Sequence, residues 1–105
     1  MTLSDLRGPL TALHALAAEY PLLPAADVHV SPIYPNHLEI HCHDSFAKFE
    51  AWREALKADP GKVERREQGS ATVHLKAAAE FAGITVALHG YGPLIHTAHM
   101  AKAVA

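Results

Sequence analysis

Several things are scarce in this sequence, and each shortage removes a class of protein. Cys42 is the single cysteine, so no disulfide closes within the chain and a zinc site built on cysteines is out of reach. Aromatic residues make up 7 % of the chain, which leaves the core to aliphatic side chains and alanine. No apolar run approaches the roughly 20 residues of a bilayer span. The first residues, Met1-Thr2-Leu3-Ser4-Asp5-Leu6-Arg7, lack a basic segment leading into an apolar one and do not read as a secretion signal. The expected compartment is therefore cytoplasmic, with no membrane partner. Nine Lys and Arg against eleven Asp and Glu give a formal charge of −2, without the basic excess of a duplex nucleic-acid binder. There is no nucleophile elbow and no helical zinc motif, and Gly90-x-Gly92 is too short for a phosphate-binding loop.

What remains is an ordinary globular composition. Half of the 105 residues are apolar and 19 % are charged, which predicts one domain over residues 1–105. The alanine-rich, asparagine-poor make-up fits a high-GC bacterial or phage genome. Alanine buries little area per residue, so a lean core predicts association with a second copy.

Residues 3 to 20 predict a helix, with Leu6, Leu10, Leu13, Leu16 or Ala17, and Tyr20 on its apolar stripe and Ser4 as cap. Gly8-Pro9 either kinks it or marks where its regular part starts, and Pro21 and Pro24 stop it. Residues 27–31 and 37–43 alternate with period two and predict a hairpin across Pro32-Ile33-Tyr34-Pro35-Asn36. Asp44 or Ser45 should cap a second helix, residues 46 to 58, whose stripe is Phe46, Phe49, Trp52 and Leu56. Lys62 to Gln68, charged on both faces, reads as an edge strand or a solvated loop. Two strands follow, near residues 71–79 and 84–89, with Gly90-Tyr91-Gly92-Pro93 breaking the second. The tail from Leu94 reads as a short helix with Leu94, Ala98, Ala101 and Val104 on one side. The order α-β-β-α-β-β-β predicts an α+β two-layer sandwich. Its antiparallel sheet of four or five strands would carry two helices on one face, ferredoxin-like or a permuted relative.

Histidine is the one residue type in unusual supply. With Leu38, Ile40 and Cys42 inside, alternation turns His37, Glu39, His41 and His43 outward together. The same rule puts Val28, Val30, Val73, Leu75, Ile84, Val86 and Leu88 inside. It leaves His29, Thr72, His74, Lys76, Thr85 and His89 outside, so six of the nine histidines share the open sheet face. Three readings follow. The leading one is a non-enzymatic interaction module, homo-oligomeric or bound to another protein, acting through His29, His41, His43, Thr72, His74, Thr85 and His89. The second is a zinc-binding protein or zinc enzyme built on His37, Glu39, His41 and His43, since imidazoles at i and i+2 with a carboxylate offer three ligands. The third is a nucleic-acid accessory protein, disfavoured by the charge and by an open face expected to carry no stacking aromatics. Cys42 falls on the opposite face from its histidine neighbours and reads as a buried thiol. His96 and His99, three apart, form a weaker candidate pair.

Overall fold

Helix formation begins one residue earlier than the expected cap. The Thr2 N–H donates to Asp5 Oδ2 at 2.8 Å, which leaves Ser4 inside the first turn rather than capping it. The computed structural model, which describes residues 2–43, 45–68 and 72–93, shows a 3-10 turn at Leu3–Leu6 running into helix α1, Arg7–Glu19. The face that α1 turns to the sheet is made of Pro9, Ala12 and Leu16, all buried. Leu10, expected on that stripe, is 42 % exposed. Small residues decide the phase: a Cβ on Gly8 would come within 2.9 Å of Ile84 Cδ1, so the helix start lies almost against the sheet.

Strands β1, Asp27–His29, and β2, His37–Cys42, form the expected antiparallel hairpin. Ser45 then caps helix α2, Phe46–Ala55, its side chain accepting from the Lys48 N–H at 3.2 Å. The helix ends before residue 58 because Lys57 adopts a left-handed backbone, φ 58°. The charged stretch is indeed a strand, β3, Glu64–Gln68, at the sheet edge, and β4, Thr72–Phe81, pairs with it. Ala82 and Gly83, with φ of 53° and 78°, make the two-residue reversal into β5, Ile84–Pro93.

The five strands lie in the order β1-β2-β5-β4-β3. The expectation of an all-antiparallel, ferredoxin-like sheet is met in part: the sheet is mixed, because β2 and β5 run parallel. Helix α2 carries the chain back to the starting end of β2, so β3 runs in the same direction as β2. Two reversals, β3 to β4 and β4 to β5, restore that direction as β5 enters beside β2.

The core lies between the helices and one sheet face, and alternation along the strands holds. Leu38, Ile40, Cys42, Val73, Ala77, Ile84, Val86 and Leu88 are buried beneath Ala12, Leu16, Phe49, Trp52 and Leu56. Val28, expected inside, points to the core side opposite Ile40 but remains 36 % exposed, because β1 is an edge strand. Trp52 satisfies its indole N–H on the Pro24 carbonyl at 2.9 Å.

The break expected at residues 90–93 does not occur. Gly90 and Gly92 face the helices, where a Cβ would meet the Phe49 side chain at 2.9 Å and the Phe46 ring at 2.6 Å. They are notches that receive two rings, so β5 continues and Tyr91 turns to the open face. Among the described residues no helix is long and apolar enough to cross a membrane. The tail helix expected from Leu94, and with it His96 and His99, lies outside the described residues.

Candidate functional site on the open sheet face

Cross-strand register builds the site. Asp27, His41, His89, Lys76 and Glu64 occupy one row across all five strands. In a neighbouring row Tyr91, His74 and Arg66 stand side by side on β5, β4 and β3. Strands are held roughly 4.8 Å apart, so flat side chains in such rows stack. His41 and His89 are parallel within 5°, their centroids 4.4 Å apart. Tyr91 lies between His74 at 4.8 Å and His43 at 4.9 Å, both nearly parallel to it. His29 meets His41 edge-on at 4.8 Å.

Glu39 is the centre of the polar network. Its Oε1 lies 3.1 Å from His41 Nε2 and 3.5 Å from His89 Nε2, while Oε2 lies 3.5 Å from His37 Nε2. The other nitrogens of the two stacked imidazoles are also engaged. His41 Nδ1 is 3.1 Å from the Tyr91 hydroxyl, and His89 Nδ1 is 2.9 Å from His74 Nε2. The His41 and His89 side chains are 17 % and 12 % exposed, Glu39 37 %, so the cluster is largely shielded yet open at the carboxylate.

One set of tautomers satisfies every contact. Tyr91 O–H donates to His41 Nδ1 and His74 Nε2–H to His89 Nδ1, leaving both Nε2–H groups directed at Glu39 Oε1. The reverse set turns both Nε2 lone pairs on the carboxylate, and only a cation between them relieves that opposition. Burial pushes the His89 imidazole down to about 4, helped by the charge of His41 and opposed by Glu39, so His89 is neutral at pH 7. Burial, then Arg66 and Lys76, lowers His74 as well. Burial alone would raise Glu39, but the His41 hydrogen bond and the charges of His89, His41 and His37 hold it below the usual carboxylate range. Burial and the Glu39 charge push the Tyr91 phenol up, so it serves as a hydrogen-bond partner and not as a phenolate.

Of the four residues expected to bind metal, the structure brings Glu39 and His41 together and adds His89, which the sequence placed only on the interaction face. His37 sits on the far carboxylate oxygen. His43 turns instead to Asp27, 3.3 Å away. Thr85 Oγ1 donates to Glu80 Oε1 at 3.0 Å, and Thr72 lies opposite Pro93; neither reaches the Glu39 cluster. The expectation of no aromatic on this face is corrected by Tyr91. Its signal was present, since Thr85, Ala87, His89 and Tyr91 continue one period-two series, but the flanking glycines read as a break. Cys42 is buried on the helix side and burial raises its thiol, in keeping with an inert role. No family model matches the chain, and no match is found among curated proteins or solved structures.

Proposed function

We propose that this chain is a transition-metal-binding module whose ion sits among Glu39, His41 and His89. The observation that carries the reading is the convergence of three donor atoms whose imidazoles are each anchored through the opposite nitrogen, by Tyr91 and by His74. Anchoring of that kind fixes the tautomer and orientation of metal-bound histidines. Bonds of about 2.0–2.1 Å in a tetrahedron put ligand atoms about 3.3 Å apart. The separations of 3.1 and 3.5 Å between Glu39 Oε1 and the two Nε2 atoms bracket that value, and the three ligand atoms all lie within 4.8 Å of one another, so the widest pair must close on loading. Parallel rings aim their lone pairs along parallel lines, so loading requires one ring to turn partly out of the stack, which lengthens its own anchoring contact while the other ring keeps its anchor. The stacking lost costs about 0.5–1.5 kcal/mol, and weakening the anchoring hydrogen bond costs up to about as much again. Imidazole with carboxylate suits zinc, copper, nickel or iron, and three ligands leave a further position for water or an external group.

The interaction-module reading has less behind it. The exposed large apolar side chains, Leu3, Leu10, Leu22, Val28, Ile33 and Tyr34, occupy no outward position on the strands, so the open face lacks the apolar centre typical of a protein interface.

The test is zinc titration of untagged protein by calorimetry at pH 7.5, with two-dimensional NMR of the imidazoles. One equivalent should bind, and E39Q, H41A and H89A should each weaken binding by about tenfold or more. H43A should leave it within about threefold, which separates this site from the linear stripe on β2. Zinc that fails to bind, or that binds H89A as tightly as the parent, overturns the proposal.

A further inference from the structure

Beside the Glu39 cluster the open face changes character. Arg66 on β3 and Lys76 on β4 flank a pocket of about 130 Å³ whose other lining residues are Glu64, His74 and His89. Their positions follow from register: Arg66 is directly opposite His74, and Lys76 stands between Glu64 and His89. Among the described residues neither cation is within 4 Å of a carboxylate, although Glu64 is directly across from Lys76. Surface cations commonly lie near a neighbouring acid, and on the same strand Arg65 does so with Glu67, 3.4 Å away. Here a guanidinium and an ammonium on adjacent strands border one recess, and Glu64, which lines it too, lies within 4 Å of neither.

We infer that this pocket is a subsite for a small oxyanion, a phosphate or carboxylate group, bound by Arg66 and Lys76 beside the His74 ring. A guanidinium offers a planar fork matched to two oxygens, and the lysine adds a point charge. The recess has room for a group of that size and for little more. His89 lines the pocket and also belongs to the Glu39 cluster, so an anion here lies next to the ion in the proposed metal site. The substrate class that follows is a small acid or phosphate ester with its anionic end on Arg66 and Lys76 and a polar group over Glu39. That last step rests on the metal reading, whereas the anion subsite stands on its own residues.

The pocket can be tested on metal-free protein in EDTA by titrating inorganic phosphate and, separately, acetate, following the His74 and His89 imidazoles by NMR. Saturable shifts of both rings at millimolar phosphate are expected, with R66Q and K76Q each weakening binding by about fivefold or more. Glu64 opposes the anion, so E64Q should tighten binding about threefold, a gain that a damaged fold does not give. Stronger binding of phosphate than of acetate assigns a phosphate ligand, and the reverse order a carboxylate. Shifts that do not saturate, or that persist unchanged in the R66Q K76Q double variant, overturn the inference. Repeating the titration with zinc separates the two proposals. Zinc binding without phosphate binding refutes the subsite alone, and phosphate binding without zinc binding leaves the subsite standing and refutes the metal site.

Discussion

Removing the proton-binding capacity of His89 should change how stability depends on pH. In an unfolded chain the imidazole titrates near 6.5, and in the folded protein burial beside His41 moves it to about 4. Between those values the unfolded state holds one more proton than the folded state, so stability rises with pH through this window and is lost as pH falls through it. The difference between 6.5 and about 4, at about 1.36 kcal/mol per unit, corresponds to on the order of 3 kcal/mol, with a slope of about 1.4 kcal/mol per pH unit. The side chain is only 12 % exposed, so solvent screening takes little from this figure. His74 is shifted the same way and adds to the slope, whereas Glu39, lowered from 4.5, contributes only at the acid end. Urea unfolding in EDTA from pH 7.5 to 4.0 measures the effect directly. The H89Q variant keeps a polar group of similar reach and should lose about 1 kcal/mol less per pH unit than the parent. Parallel profiles for the two proteins, or an NMR titration placing His89 near 6.5, would refute the reasoning.

Two further outcomes test the helix side of the sheet. Ile40→Ala, at a fully buried position, should cost about 2–5 kcal/mol in urea unfolding without altering zinc affinity. Gly92→Ala forces a methyl onto the Phe46 ring and should cost on the order of 1–3 kcal/mol, relieved in part by Phe46→Leu in the double variant.

The layers of this fold were legible in the sequence and the neighbours within the sheet were not. Period-two runs such as Leu38, Ile40 and Cys42 state which side chains go inward, because alternation is a property of one strand. That rule alone places all six histidines on one face, whatever the strand pairing. Which strand lies beside which is decided by chain reversals far apart in sequence. His41 and His89, 4.4 Å apart, come from strands separated by α2 and a two-hairpin excursion, and no local pattern encodes their meeting. The linear stripe on β2 therefore gave two of the three clustered ligands. Gly90 and Gly92 are ambiguous for a different reason: a glycine in a strand signals either a break or a close approach, and only the Phe46 and Phe49 rings decide between them.

Tyr91 bears on what the open face can recognise. An exposed aromatic on a sheet is the usual platform for a nucleobase, which requires a ring face open to solvent. On this central strand both faces are taken, His74 covering one at 4.8 Å and His43 the other at 4.9 Å. The same holds one row over, where His89 stacks on His41 and, at 5.1 Å, on His74. Strand spacing nearly equals stacking distance, so the rings saturate one another and stand with their edges outward. An edge of imidazole offers a lone pair or an N–H, and an edge of phenol offers a hydroxyl. Such a surface has donors and acceptors in quantity and little open π-face in its centre, in keeping with the proposed metal and oxyanion sites.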